Sequence, residues 1–153
     1  AKGLYTESSS EYQDVVDRLS RKWQTAKQYV PQPIVDDQKN KLGIIAYGST
    51  DTPMTEARAI LNTLGMKTDY LRLRALPFVD QVKAFIENHD AVFVIEQNRD
   101  GQMAQLLTTE YPELATKLIS IRHYDGSPMT AEDIFEPLIK YGQEKRFTSE
   151  VLA

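Results

Sequence analysis

The hydrophobic pattern is clearest across residues 91–107, AVFVIEQNRDGQMAQLL. A continuous apolar run, AVFVI, stops at the polar Glu96-Gln97-Asn98 and passes through Arg99-Asp100-Gly101. It resumes with Met103, Leu106 and Leu107 spaced for one helix face. This predicts a buried strand, a tight turn and the start of a helix, closed by Tyr111-Pro112. In parallel α/β sheets that junction lies on the edge where ligands and partners dock.

The same alternation of periods runs through the rest of the chain. Across residues 9–29, Tyr12, Val15, Val16, Leu19, Trp23 and Ala26, followed by Val30, form a helical stripe. Ser8, Ser9 and Ser10 offer N-caps, Glu11 suits the first turn, and Pro31 and Pro33 end the helix. Residues 1–8 read as a connecting arm and Ile34-Val35 as a short edge strand. LGIIAY, residues 42–47, is a strand apolar on both faces that runs into Gly48-Ser49-Thr50. Thr52 is then the expected N-cap of a helix with Pro53 at its first position, Ala57, Ile60, Leu61 and Leu64 on its buried face, and Gly65 at its end.

TDYLRL, residues 68–73, is the next strand, with Tyr70, Arg72 and Arg74 alternating against Leu71 and Leu73. Pro77 is expected to open a helix carrying Phe78, Val82, Phe85 and Ile86. LISI, residues 118–121, is the last strand. Thr130 caps a final helix with Ile134, Phe135, Leu138 and Ile139, which Pro137 is expected to kink or split and Gly142 to stop. Residues 143–153 read as a polar tail carrying Phe147, Val151 and Leu152, mobile or docked on something else. Alternating strands and helices with short connections predict a parallel sheet with helices on both faces.

Composition narrows the function. A chain of 153 residues is one domain's worth, and its 41% apolar and 26% charged content is that of a globular protein. The formal charge of −4 argues against a nucleic-acid partner. No apolar run approaches the roughly 20 residues that span a membrane. With no signal peptide visible, the expected location is the cytoplasm. The absence of cysteine removes thiolate iron–sulfur ligation, disulfides and thiol nucleophiles, and with only His89 and His123 a zinc site is not expected. The missing initiator methionine suggests a piece of something longer.

The strand ends gather the remaining chemistry: Gly48, Ser49 and Thr50; Arg72 and Arg74; Glu96, Gln97, Asn98, Arg99, Gly101 and Gln102; Arg122 and His123. With the 42–47 strand central, the glycine turn at 48 and the amide-rich turn at 97 face each other. Two helix N-termini would then point into one crevice, where free N–H groups favour an anion. The plainer reading gives this edge to structure or to an interface, and the residues leave both open. His89 is read as a solvated helix end, His123 as structural, and Trp23, Tyr12 and Tyr29 as packing residues. No GxGxxG, GxxxxGK[ST] or GxSxG is present, no carboxylate pair stands out, and no catalytic residue or metal ligand is assigned.

Four strings, IIAYGSTDTPMTEAR, DYLRLRALPF, VFVIEQNRDGQMAQLL and SIRHYDG, together resemble the C-terminal domain of the alpha subunit of 2-oxoacid:ferredoxin oxidoreductases, above all the 2-oxoglutarate enzymes. YTESSSEYQDVVDRLSRKWQTAKQYVPQPIV resembles the segment leading into that domain. The likeness implies a transketolase C-terminal-like fold: a three-layer α/β/α domain whose five-strand, mostly parallel sheet has order 1-3-2-4-5, with strand 1, from Ile34 to Asp36, antiparallel. It divides the chain into a lead-in at 1–40, the α/β domain at 41–142 and the tail. It also implies a complete enzyme that decarboxylates a 2-oxoacid on thiamine diphosphate and magnesium, passes electrons through an iron–sulfur cluster to ferredoxin, and forms an acyl-CoA. The implied partners are the upstream alpha domains and a beta subunit. This piece lacks the GDG string of the diphosphate site and any cysteine, so the resemblance gives it assembly and active-site shaping. The alternative is an anion- or CoA-binding module, or a free-standing signalling domain.

Overall fold

The computed structural model describes residues 5–144, so the Phe147, Val151 and Leu152 tail lies outside it. The elements are α1 (Ser9–Ala26), β1 (Ile34–Asp36), β2 (Leu42–Tyr47), α2 (Met54–Thr63), β3 (Thr68–Leu73), α3 (Asp80–Glu87), β4 (Ala91–Glu96), α4 (Gln102–Glu110), β5 (Leu118–Arg122) and α5 (Ala131–Glu144), with 3-10 turns at Gly48–Asp51 and Pro112–Lys117. The sheet order is β1-β3-β2-β4-β5. β1 is antiparallel to β3, and β2, β3, β4 and β5 run parallel. This is the fold the family likeness implied.

Two apolar layers hold the sheet. On one face Ile44, Ala46, Phe93 and Ile95 meet Ala57 and Leu61 of α2 and Ile134 and Leu138 of α5. On the other, Ile45, Leu71, Val92 and Val94 meet Val82, Phe85 and Ile86 of α3 and Ala104 and Leu107 of α4. β2 and β4 are buried on both faces, which is why they read as unbroken apolar runs. The chain leaves β2 through α2 on one face and leaves its neighbour β4 through α4 on the other. The two loops therefore diverge, and the crevice of an open α/β sheet forms there.

Several expected boundaries move. α2 starts at Met54 behind Pro53, because Thr52, the expected cap, closes the Gly48–Asp51 turn instead, its N–H donating to Ser49 O at 3.1 Å. Gly65, at φ +85°, sits just past the end of α2: its N–H reaches Asn62 O at 3.0 Å and that of Met66 reaches Leu61 O at 2.9 Å. α3 begins at Asp80, after a cis Leu76–Pro77 bond, not at Pro77. α5 is neither split at Pro137 nor stopped at Gly142. Ile134 and Leu138, both fully buried, hold the helix on the sheet on either side of the proline. Its start is a reciprocal cap, in which Asp133 Oδ2 accepts from Thr130 N at 2.8 Å and Thr130 Oγ1 accepts from Asp133 N at 3.3 Å.

Two corrections are larger. His89 is not a solvated helix end: it is buried, with Nε2 3.2 Å from Asp69 Oδ2 and Nδ1 against Phe85 O. Asp69, with no exposure, also accepts from Gln38 N, Asn40 N and Asn40 Nδ2, so it ties the β1–β2 turn to α3. A buried carboxylate is tolerable only when its lone pairs are filled in this way. Gly43 makes room for the pair, since a Cβ there would lie 2.7 Å from the Phe85 ring and 3.1 Å from that of His89. The second correction is α1. Its stripe does not pack on the domain, and none of its residues is buried. Tyr12 and Trp23 stand exposed, as does Tyr29 beyond the helix.

Candidate functional site

The two turns at the ends of β2 and β4 meet as the strand pattern requires. Ala46 and Ile95 are register partners, so Tyr47-Gly48 and Glu96-Gln97 emerge side by side. Gln97 Nε2 donates to Ser49 Oγ at 3.2 Å and Thr50 Oγ1 at 3.3 Å, and Asn98 Nδ2 donates to Tyr47 OH at 3.3 Å. Gly48 turns the chain at φ +60°. Burial raises the proton affinity of the Tyr47 hydroxyl, and the Glu96 charge beside it adds to the effect.

The start of α4 is not a vacant anion cradle. Glu96 is fully buried and occupies that place itself: its Oε2 accepts from Met103 N at 2.8 Å and its Oε1 from Ala104 N at 3.2 Å. Asn98 Oδ1 accepts from Gly101 N at 2.7 Å and Gln102 N at 3.1 Å, and Asn98 Nδ2 donates back to Glu96 Oε2 at 2.7 Å. Four consecutive backbone donors and the positive end of the helix dipole are thus filled by the chain's own side chains. The expectation of free N–H groups at this turn is corrected. Gly101 is forced by geometry. It sits at φ +67°, and a Cβ there would lie 2.8 Å from Ser120 Oγ and 3.7 Å from Glu96 Oε1.

Most of the cations on this edge are also spoken for. Arg72 pairs with Asp51 at 3.0 Å, and Tyr70 OH donates to the same carboxylate at 2.7 Å. Burial, and then this hydrogen bond, push the Tyr70 phenol well above its ordinary value. Arg99 forks onto its neighbour Asp100, and Arg122 Nη1 donates to Arg99 O at 2.9 Å, bracing the turn. His123 Nε2 is 3.0 Å from Asp125 and its Nδ1 3.6 Å from Asp133, while its backbone N–H donates to Glu96 O at 3.0 Å. Arg74 reaches Gln32 O at 3.4 Å and is exposed. Clefts of about 460 and 780 Å³ flank Arg122, one toward Gly101 and Gln105, the other toward Phe135 and Ile139.

Sequence reading missed the Asp69–His89 pair and the role of Asp51. An aspartate inside a strand, where that residue type is depleted, was the available signal for the first.

These residues do not fit the groups that the resemblance attaches to the complete enzyme. There is no thiolate for a cluster. No set of three or more His, Cys, Asp or Glu among the described residues is placed to hold a metal. The α4 terminus, the place for a diphosphate on this edge, already holds Glu96.

No protein-family model matches the chain. Over 111 residues it is 27% identical to subunit alpha of 2-oxoacid:ferredoxin oxidoreductase 2 from Aeropyrum pernix. Its homologue is a 2-oxoacid:ferredoxin oxidoreductase alpha subunit. The match takes in 69% of this chain and spans 17% of that subunit's length. Among solved structures, the 2-oxoglutarate:ferredoxin oxidoreductase from Magnetococcus marinus, with 2-oxoglutarate, coenzyme A and succinyl-CoA bound, superposes with a TM-score of 0.73 at 24% identity. That superposition covers 90% of this chain and 24% of the other, and it carries the fold. Among the described residues no helix is long and apolar enough to cross a membrane.

Proposed function

We propose that this chain is the C-terminal, transketolase-like part of the alpha subunit of a 2-oxoacid:ferredoxin oxidoreductase, with 2-oxoglutarate as the favoured substrate. In the complete enzyme, thiamine diphosphate, magnesium and an iron–sulfur cluster do the chemistry in other parts of the assembly. The 2-oxoacid is decarboxylated, electrons pass to ferredoxin and the acyl group passes to CoA. Residues 41–142 serve assembly with the upstream alpha domains and the beta subunit and shape the approach to the active site, while residues 1–40 lead in and supply the edge strand. The proposed location is the cytoplasm.

The observation that carries a supporting role over chemistry is Glu96. The anion cradle at the start of α4 is closed by an internal carboxylate, which takes up the donors that a ligand anion would use there. The exposed Ser49, Arg74, Arg99 and Gln102 on the same edge are the proposed interface residues.

The test compares the chain alone with the chain assembled with the remaining alpha domains and beta. Each is supplied with thiamine diphosphate, magnesium, 2-oxoglutarate, CoA and a viologen acceptor. Viologen reduction is expected only in the assembly, and turnover by the chain with beta alone would overturn the reading. Calorimetry of the isolated chain with CoA is expected to show no saturable heat. Saturation in the low millimolar range or tighter, lost in Arg74→Ala or Arg99→Ala, would favour the CoA-binding alternative.

A further inference from the structure

We infer that His89 is held in the folded chain as an imidazolium ion, and that its pairing with Asp69 is a pH-sensitive clasp between the end of α3 and the β1–β2 turn. This does not rest on the oxidoreductase reading. A neutral imidazole has one N–H and one lone pair, whereas the charged ring donates from both nitrogens. Both nitrogens of His89 face acceptors: Nε2 lies 3.2 Å from Asp69 Oδ2, and Nδ1 is in contact with Phe85 O. A carbonyl oxygen has no proton to give. With a proton on Nδ1 alone, the Nε2 lone pair would point at a carboxylate. With a proton on Nε2 alone, the Nδ1 lone pair would point at the carbonyl. His89 is 2% and Asp69 0% exposed, so bulk water relieves neither repulsion. Turning the ring over puts carbon atoms against both oxygens and forfeits both bonds.

The surroundings favour the charge. Phe85 O is among the last carbonyls of α3, at the negative end of the helix dipole. The His89 amide turns to Ile86 O at 3.4 Å, while its ring nitrogen meets the Phe85 carbonyl. The Phe85 ring lies alongside, with centroids 4.3 Å apart. Against this stands desolvation, which is offset only when a buried ion is paired and hydrogen-bonded, as His89 is. The extra proton belongs on the ring and not on the carboxylate. Asp69 Oδ1 accepts from Gln38 N at 3.0 Å and Asn40 Nδ2 at 2.6 Å, and Oδ2 from Asn40 N at 3.2 Å, and all three bonds favour the ionised form. The other charges nearby are Asp37 and Lys39 of the β1–β2 turn, which interact with Asp69 and pair with each other at 2.7 Å. At the end of α3, Glu87 pairs with Lys83 at 3.6 Å, Lys117 donates to Glu87 O at 2.7 Å, and Asp90 N donates to Lys41 O at 2.8 Å. Gly43 of β2, against the ring, brings no charge. Without the second proton a lone pair faces Asp69, and the carboxylate that fixes Gln38 and Asn40 loses its hold on α3.

Nitrogen-15 NMR of the histidine rings in the full chain tests this, with His123→Gln assigning the signals of the two histidines. At about pH 7.5 an unconstrained imidazole is about nine-tenths neutral. Wild-type His89 is expected to carry a proton on both ring nitrogens at that pH. Asp69→Asn can turn an amide N–H toward Nε2 and should leave one proton, on Nδ1. The clasp is read separately, from the exchange of the Gln38 and Asn40 amides corrected for the intrinsic rate. The folded state holds the ring proton more tightly than the opened one. Protection is therefore complete below about pH 6.5 and should fall by up to about tenfold per pH unit as pH rises through the folded-state value. In Asp69→Asn it should not change with pH. A single ring proton in the wild type at about pH 7.5 would overturn the proposal. So would two ring protons retained in Asp69→Asn, or wild-type protection that stays level to about pH 9.

Discussion

Replacing Glu96 tests the central packing claim about the turn that leads into α4. Glu96→Ala removes the acceptors of Met103 N, Ala104 N and Asn98 Nδ2 together. Loss of a helix cap costs about 1 kcal/mol. A buried donor left without an acceptor costs about 1–3 kcal/mol. A charge at a partly buried helix terminus contributes up to about 2 kcal/mol. These effects overlap, so the expected loss is about 3–5 kcal/mol out of a total stability of about 5–15 kcal/mol. Glu96→Gln keeps one oxygen but turns an amino group toward the amides, and about 1–3 kcal/mol is expected. Urea unfolding followed by far-UV dichroism gives both values, provided the slope is unchanged. Acetate, the fragment removed in Glu96→Ala, should raise that variant's midpoint and leave the wild type's where it is. If both variants fall within about 0.5 kcal/mol of wild type, or if acetate stabilises both proteins equally, the carboxylate does not fill the helix terminus as described.

Gly101→Ala should cost about 2 kcal/mol, from a side chain at positive φ plus the contact with Ser120 Oγ. Ser120→Gly in that background should recover only the contact part, and full recovery in a melting series would show that φ carries no cost. Asp69→Ala leaves His89 and two backbone donors of the β1–β2 turn without their acceptor, and a loss of at least about 3 kcal/mol is expected in denaturant titrations; under 1 kcal/mol would contradict the buried pair. Asp133 is held below the ordinary carboxylate range by the N–H and hydroxyl of Thr130. Its folded value is therefore below its unfolded one. The stabilisation is complete above the unfolded value, near about 3.9, and is lost as pH falls through the folded value. Asp133→Asn should accordingly flatten the acid limb of a melting-point-against-pH curve, and an unchanged limb would show that the cap carries no titrating stability. Arg99→Ala should leave stability within about 0.5 kcal/mol of wild type, because its side chain hydrogen-bonds to the exposed Asp100 and is itself exposed; a larger loss in the same titrations would show that it holds the turn.

What the amino-acid order determined is the architecture. Unbroken apolar runs at 42–47 and 91–95 predict strands covered on both faces, since only there can consecutive residues all leave water. A helix between successive strands then predicts parallel strands, and the turns at 48 and 97 meet once the 42–47 strand is central. Thr130, and Gly65 behind Leu64, announce helix ends from local chemistry alone. What the sequence could not determine is which polar groups satisfy one another across the fold. Glu96 reads as one more polar residue of a strand-end turn, and only the packing of α4 onto β4 turns its carboxylate inward to meet two amides. His89 reads as solvated because Asp69, twenty residues earlier, becomes its neighbour only once β3 and α3 are assembled. For α1 the order of residues gave the stripe and its period, but whether an amphipathic face is buried depends on what is present to bury it. Periodicity states that a surface wants covering. Which surface covers it is decided by tertiary or quaternary contact.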